Sequence, residues 1–374
     1  MTNLSNHKIC FFNSTKSWGG GEKWHFETSV YLVNKGYNIV VFTNKNSELF
    51  KKLSKTKINV IPIKVNNLSF LNIFRIIKLR NIFRHEHIST IIMNLSADVK
   101  FAGIAAKLAK IQNIVYRRGS AIPIKNTLLN RFLFKNILTN ILANSIETKN
   151  TINQNYAKLF PQEKIEVIYN GIDLEKFDNQ TKEIKPFDLN LIGNEIIIGN
   201  AGRLEFQKNQ KDLIKIAKIL KSENQSFKIL IAGTGRLKEE LKQLAKNEGV
   251  DDNIIFLNFV EDIKSFMQKI DIFVLTSFWE GFGYVIVEAM ACKKAVVAYN
   301  ISSNPEIVNN NINGFLVNYP DVKEFAEKIK ILIENKNQRI LFGEKGRKLV
   351  EQNFQLKNQC LKIEIYLKSL IKNV

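Results

Sequence analysis

The sequence predicts an α/β protein built from two Rossmann-like domains, with parallel sheets facing an interdomain cleft. Three observations predict it. Short apolar, β-branched runs recur along the 374 residues, and because they are apolar throughout rather than alternating, they read as strands covered on both faces of a parallel sheet. Longer stretches with helical periodicity separate them, the rhythm of βαβ units. That rhythm restarts near residue 195, and the length suits two domains better than one.

Taken in order, the first half offers KICFFN (8–13), NIVVFT (38–43), INVIPI (58–63), ISTIIMN (88–94), NIVYRR (113–118) and TNILAN (139–144). Helical patterns such as Glu22–Lys35 and Ala97–Lys110 fall between them. The second half offers IIIGNAG (196–202), FKILIAG (227–233), NIIFLNFV (253–260), DIFVLTS (271–277), KAVVAYN (294–300) and NGFLVN (313–318). The polar, turn-rich stretch between the halves reads as a linker over residues 174–194. It separates a first domain, 1–173, from a second, 195–354. The end, about 355–374, is helical by period and is expected to fold back on the first domain. In open parallel sheets ligands sit at the carboxyl ends of the strands, so the chemistry is sought there.

Charge is distributed unevenly. Residues 1–170 carry 25 Lys/Arg and 8 Asp/Glu, whereas residues 171–374 carry 30 and 27, so nearly all of the formal +20 lies in the first half. Such a field attracts phosphates, anionic lipid or nucleic acid; a generally basic solvated surface is the plain alternative. The three cysteines, Cys10, Cys292 and Cys360, are far apart and offer neither a disulfide framework nor zinc spacing. The first residues lack the apolar core of a signal peptide, and no run approaches the roughly 18–20 apolar residues of a spanning helix. The expectation is a cytoplasmic protein, peripheral to the inner face of the membrane if it meets one. In the segment 66–87, Arg75, Lys78, Arg80 and Arg84 do not gather on one helical face, which suggests a packed helix with snorkelling cations rather than a surface-lying one.

The apolar stretch FWEGFGYVIVEAMACKKAVVAYN (278–300) holds two acids, Glu280 and Glu288. Eight residues at helical rise span about 12 Å, more than the roughly 5–9.5 Å between paired glycosidase carboxylates. They therefore fit two contacts on one elongated ligand better than an acid/base dyad; one loop Glu and one helix-surface Glu remains the plain alternative. The glycines of EGFG let backbone approach a ligand and open a helix whose N-terminus suits a phosphate. In GNAGRLEFQKNQKDL, Arg203 and Lys208 follow a strand end and precede a helix, well placed for a diphosphate. Gly19, Gly20 and Gly21 read as a flexible loop before the first helix. Gly233 and Gly235 lack the third glycine of a dinucleotide fingerprint and read as a structural turn. His25, one turn into the first helix, either lines the cleft or lies on the helix surface. His85 and His87 make no metal site on their own.

These elements together resemble the retaining GT-B glycosyltransferases of family 4, the group 1 type, over almost the whole chain. The match is carried by Glu280-x7-Glu288 inside EGFGYVIVEAMACKKAVVA, by AGRLEFQKN, by GGGEKW, by NPEIV (304–308) and NGFLV, and by ILANSIETK and VIYNGID, in this order. The resemblance implies a nucleotide-diphosphate sugar held mainly by the second domain, with Arg203 and Lys208 neutralising the diphosphate and Glu280 contacting the transferred sugar. It also implies Glu288 on the ribose, the backbone of Phe282, Gly283 and Tyr284 near sugar and phosphate, Asn258 to Val260 framing the base, and Gly20 pressing on the phosphate from the first domain. It implies no metal and no cofactor beyond the donor itself, retention of anomeric configuration, and a glycan, lipopolysaccharide-type or lipid-linked acceptor. Two departures stand out. NIVYRRGSAIP carries Arg117 and Arg118 where relatives often place a His, so these arginines, with His25, are candidates for the acceptor or phosphate side. Asn258 stands where a glycine is common. Two other readings remain open: a nucleotide-sugar epimerase of the same fold, and a non-catalytic basic protein that binds nucleic acid or membrane, although no nucleic acid partner is expected.

Overall fold

The computed structural model describes residues 7–179 and 195–372. The chain divides into two compact units, Met1–Asn170 with Lys357–Val374, and Gly171–Leu356. In the first unit the strands are β1 (Lys8–Asn13), β2 (Asn38–Thr43), β3 (Asn59–Pro62), β4 (Ile88–Met93), β5 (Asn113–Arg118), β6 (Asn140–Ala143) and β7 (Ile165–Val167). They form one sheet in the order β3-β2-β1-β4-β5-β6-β7, every pair parallel.

The continuous apolar runs follow from burial on both faces. Successive side chains of a strand point to opposite sides, so Cys10 and Phe12 join one core with Val40, Phe42, Ile91 and Met93, while Ile9 and Phe11 join another with Ile39, Val41 and Ile92. The helix Ile73–His85 covers the first face through Ile76, Leu79 and Phe83. The helix Gly20–Asn34 and the C-terminal helix Leu356–Lys372 cover the second, with Ile363 and Leu367 in its core and the Tyr37 hydroxyl donating to Glu364 at 2.9 Å. β7 is absent from the strands expected in the sequence: it is three residues long at the sheet edge, and its middle residue, Glu166, is exposed, so its apolar signal is thin.

In the second unit β8 (Ile196–Ala201), β9 (Phe227–Ala232), β10 (Ile254–Phe256), β11 (Ile272–Leu275), β12 (Ala295–Tyr299) and β13 (Gly314–Val317) pair in the order β10-β9-β8-β11-β12-β13, again all parallel. Ile198, Ile229, Ile231, Val274 and Val297 make the centre of one core face, closed by helices Gln210–Ser222 and Val322–Glu334. Of the expected linker, Leu174–Asp178 is a helix capped by Asp173 and belongs to the second unit, tied to it by the Arg347–Asp178 ion pair at 2.7 Å; residues 180–194 lie outside the described residues.

Two local expectations change. Gly20 and Gly21 are the first residues of the helix Gly20–Asn34, not a free loop, and a Cβ at Gly21 would come within 2.6 Å of the Asn94 amide, so that side chain would have to move. The segment 66–87 does form a packed helix, but the turn before it and one side of it leave large apolar side chains in solvent.

Candidate active site

Each sheet has one point where the strand order reverses, between β1 and β4 in the first unit and between β8 and β11 in the second. The connections there leave toward opposite faces and open a crevice at the carboxyl ends of the two strands. In the second unit, Arg203 and Lys208 follow β8, and Ser277 and Glu280 follow β11, so the reversal places the two sequence-distant motifs side by side.

Lys208 ends a short 3-10 turn, Phe206–Lys208, and is followed by Asn209 in the left-handed region (φ 48°) at the start of the helix Gln210–Ser222. Its stem lies across Gly202, where a Cβ would come within 3.1 Å of Lys208 Cε. The ammonium Nζ donates to Glu280 Oε1 at 2.6 Å, and the Ser277 hydroxyl donates to the same oxygen at 2.6 Å. The Glu280 carbonyl accepts from the Ser302 and Ser303 hydroxyls at 2.7 and 3.2 Å. Glu280 is thus held by its side chain and its main chain, with only 7% of its surface exposed. Arg203 is exposed and reaches the Gln207 amide oxygen at 3.3 Å, while Gln207 donates to the Trp279 carbonyl at 2.8 Å. The cationic turn and the EGFG turn are therefore stitched together.

Gly283 takes φ 77° and opens the helix Tyr284–Ala291. Phe282 is buried edge-on to Phe354 and Tyr284 at 5.4 Å each, so its ring anchors the turn while the backbone is presented. Glu288 lies in the second turn of that helix and is 8% exposed, which rules out the plain helix-surface reading. Asn258 and Val260 follow β10, two strands away from β8. Asn258 is exposed at φ 56°, with its carbonyl accepting from Gly233 N at 2.6 Å and its side chain contacted by Lys238. Gly233 and Gly235 are a packing turn: Cβ atoms there would fall 1.9 Å from the Gly202 carbonyl and 2.2 Å from the Leu204 carbonyl.

In the first unit, the β1–β4 reversal gathers Asn13, Glu22 and Asn94. Glu22 Oε1 accepts from Asn13 at 3.0 Å and Asn94 at 3.3 Å. Gly20 sits just before it, at the helix start. His25 is fully buried, packed on Phe11 and Trp24, which corrects both the surface and the ligand-lining readings. Burial, reinforced by the Arg117 charge, lowers its pKa to about 3, so the ring is neutral. Arg117 stacks on Trp24 at 4.9 Å and donates to Asn94 at 3.1 Å and Asn170 at 2.7 Å; Arg118 is also buried and donates to the Ile122 carbonyl. Their guanidinium groups are engaged by protein, so the acceptor or phosphate contact expected of them is replaced by a structural one. Asp98 is buried too, taking a 2.5 Å hydrogen bond from Ser14, and burial raises its pKa to about 7.

The family model for Glycosyl transferases group 1 matches residues 181–349, and that for Glycosyltransferase Family 4 matches residues 18–176. The chain belongs to the group 1, family 4 glycosyltransferases. It is 32% identical over 226 residues, 58% of each chain, to the capsular polysaccharide biosynthesis glycosyltransferase CapM of Staphylococcus aureus. It is 30% identical over 226 residues, 59% of each chain, to the N-acetylgalactosamine-N,N'-diacetylbacillosaminyl-diphospho-undecaprenol 4-alpha-N-acetylgalactosaminyltransferase of Campylobacter jejuni. These alignments thus span about three fifths of those relatives. Among solved structures, Anabaena HepE in complex with UDP and glucose superposes with TM-score 0.82 at 22% identity, covering 97% of this chain and 100% of that one, a likeness of fold.

Two features of the second unit escaped the sequence reading. Asn304 is fully buried beside Gly283, donates to the Tyr299 carbonyl at 3.0 Å, and leaves its Oδ1 without a hydrogen-bond partner among the described residues. Its signal lay in NPEIV, quoted for its pattern and not for a side chain. Phe206, Phe278, Trp279 and Tyr319 form an aromatic group beside Lys208, with Phe206 and Phe278 rings 4.8 Å apart and Phe278 and Tyr319 5.5 Å apart. Three separate segments supply it, so no window of sequence displays it.

Proposed function

We propose that this glycosyltransferase moves a sugar from a nucleotide-diphosphate sugar to a hydroxyl of a glycan, lipopolysaccharide-type or lipid-linked acceptor, with retention of anomeric configuration and without a metal. The observation that carries the reading is the cluster at the β8–β11 reversal, where Lys208, Glu280 and Ser277 share one carboxylate oxygen beside Arg203. Arg203 and Lys208 neutralise the departing diphosphate, the charge that grows as the bond breaks. Lys208 touches Glu280, so the same contact that fixes the ammonium presents the carboxylate to the sugar hydroxyls. The backbone of Phe282, Gly283 and Tyr284 approaches sugar and phosphate at the helix start, Glu288 takes the ribose, and Asn258 to Val260 border the base. Asn304 Oδ1, an unspent acceptor beside that turn, receives a ligand hydroxyl. The bond from the anomeric carbon to the phosphate oxygen breaks, the acceptor oxygen bonds to the same face, and the acceptor proton passes to the released diphosphate.

The acceptor class is supported by the curated names: the Campylobacter jejuni relative is named for a diphospho-undecaprenol substrate and the Staphylococcus aureus relative for capsular polysaccharide biosynthesis. An acceptor of that kind brings a membrane partner to the strongly basic first unit, and a cytoplasmic, peripheral location. No helix among the described residues is long and apolar enough to cross a membrane.

The test is a thermal-shift screen against nucleotide sugars, since a ligand of the folded state raises its apparent stability, followed by product analysis with lipid-linked acceptors. Stabilisation by one donor and a product of unchanged anomeric configuration are expected. Isomerised nucleotide sugar formed without acceptor would assign the chain to epimerisation instead.

A further inference from the structure

Between Glu48 and Glu86 the chain contains no Asp or Glu and nine Lys or Arg. Within that stretch Leu68, Leu71, Ile73, Phe74 and Ile77 are 38–81% exposed, five large apolar side chains in ten residues. Isolated exposed apolar residues are ordinary, but a contiguous group marks a contact surface. The same helix, Ile73–His85, buries Ile76, Leu79 and Phe83 in the core, so its apolar content is divided between two faces. Along the outer face Phe74 and Ile77 give way to Lys78, Asn81 and Arg84 at helical spacing, all exposed. Lys64 is exposed on the strand side, and Arg84 donates to the Leu108 carbonyl, bringing exposed Lys107, Leu108 and Lys110 alongside.

Several polar groups of the tip are hydrogen-bonded within it. Asn66 Oδ1 accepts from Leu68 N at 3.1 Å and from the buried Ser69 hydroxyl at 3.0 Å, and Asn72 Oδ1 caps the helix at Arg75 N at 3.0 Å. Arg75 turns inward, lying 5.2 Å over the Phe101 ring and donating to Ser69 Oγ at 3.1 Å. Each polar group already paired within the turn lowers the cost of entering an apolar environment.

We propose that this knob, Leu68 to Ile77, with Lys64, Lys78 and Arg84 beside it, is where the first unit seats on an anionic phospholipid bilayer. It rests on the membrane partner of the proposed function and names its surface. The apolar tips enter the boundary between headgroups and acyl chains while the cations meet lipid phosphates. A second copy of the chain is disfavoured, since pairing this face with itself would set two acid-free basic stretches against each other. Nucleic acid is disfavoured because aliphatic Leu and Ile side chains offer it neither charge nor stacking.

Flotation with vesicles of phosphatidylglycerol and phosphatidylcholine, against pure phosphatidylcholine, tests the assignment. Wild type is expected to float with the anionic vesicles only, less at high salt. Leu71→Ser/Phe74→Ser should lower partitioning about tenfold or more, and Lys64→Glu/Lys78→Glu should remove the salt dependence along with most binding. All four positions are exposed, so unchanged circular dichroism and unchanged donor turnover without vesicles are expected for both variants. Wild type that ignores anionic vesicles, or binding unmoved by the apolar pair, overturns the surface while leaving sugar transfer standing. A wild-type dimer that dissociates in Leu71→Ser/Phe74→Ser also overturns it, assigning the knob to self-association.

Discussion

Replacing Lys208 by Met removes a cation that lies 2.6 Å from Glu280 Oε1, with the two side chains only 13% and 9% exposed. At an effective dielectric of about 20, charges at that separation attract by about 6 kcal/mol before desolvation is subtracted. Desolvation cancels much of this for the intact pair, but removing one partner leaves the other's charge nearly buried, which typically costs about 3–5 kcal/mol. Here the Ser277 hydroxyl still serves Glu280, so the lower end, about 3 kcal/mol, is expected, and for a unit of this size that lowers Tm by roughly 6–12 °C. Lys208→Met/Glu280→Gln leaves no charge unpaired and should recover stability to within about 1 kcal/mol of wild type. Activity should behave differently. If the ammonium neutralises the leaving diphosphate, both single variants and the double variant lose about 100- to 1,000-fold in donor turnover. Urea denaturation and donor hydrolysis, run on all four proteins, separate the two effects. A double variant that recovers turnover along with stability, or a Lys208→Met protein within about threefold of wild-type turnover, refutes the assigned role and leaves the pair as a fold element.

Three further outcomes follow from particular residues. His25 stays neutral in the fold with its pKa lowered to about 3, whereas the unfolded chain protonates near 6.5; stability is therefore lost as pH falls through that window, by up to about 1.4 kcal/mol per pH unit. Urea midpoints at pH 7 and 4.5 should fall more for wild type than for His25→Leu, and equal falls would contradict the burial argument; Asp98, raised to about 7, acts in the opposite direction in both proteins. Gly283→Ala meets nothing closer than 3.4 Å, so its cost is the backbone at φ 77°, about 1–2 kcal/mol; Gly36→Ala, at φ 84° in open space, should cost the same. Only Gly283→Ala should lower donor turnover, and equal turnover in the two would remove the EGFG backbone from the donor site. If Arg203 and Lys208 supply the charge a metal would otherwise supply, excess EDTA should leave turnover unchanged; loss restored by added Mg2+ would overturn that reading.

The parallel sheets were legible because residues such as Phe11 and Phe12 face two different cores, and that leaves an unbroken apolar run in the chain. The edge strand β7 was not, since an edge carries little of that signature. The motif acids and cations were legible as types and spacings, and the structure sets Glu280 in the turn after β11 and Glu288 in the helix that follows it. What the linear chain could not specify is adjacency: residues 203–208 meet residues 277–280 only because β8 and β11 are neighbours at the strand-order reversal. The same holds for burial. His25, Arg117 and Arg118 look like ligand contacts by chemistry, yet tertiary packing buries all three, His25 and Arg117 among Phe11, Trp24, Asn94 and Asn170 and Arg118 against the Ile122 carbonyl. On the helix Ile73–His85 the reverse happens, and apolar side chains that composition would send inward are left outside. Local pattern thus determined which elements form and which residue types await a ligand. Tertiary structure decided which of them touch and which face solvent, because both depend on contacts between residues tens of positions apart.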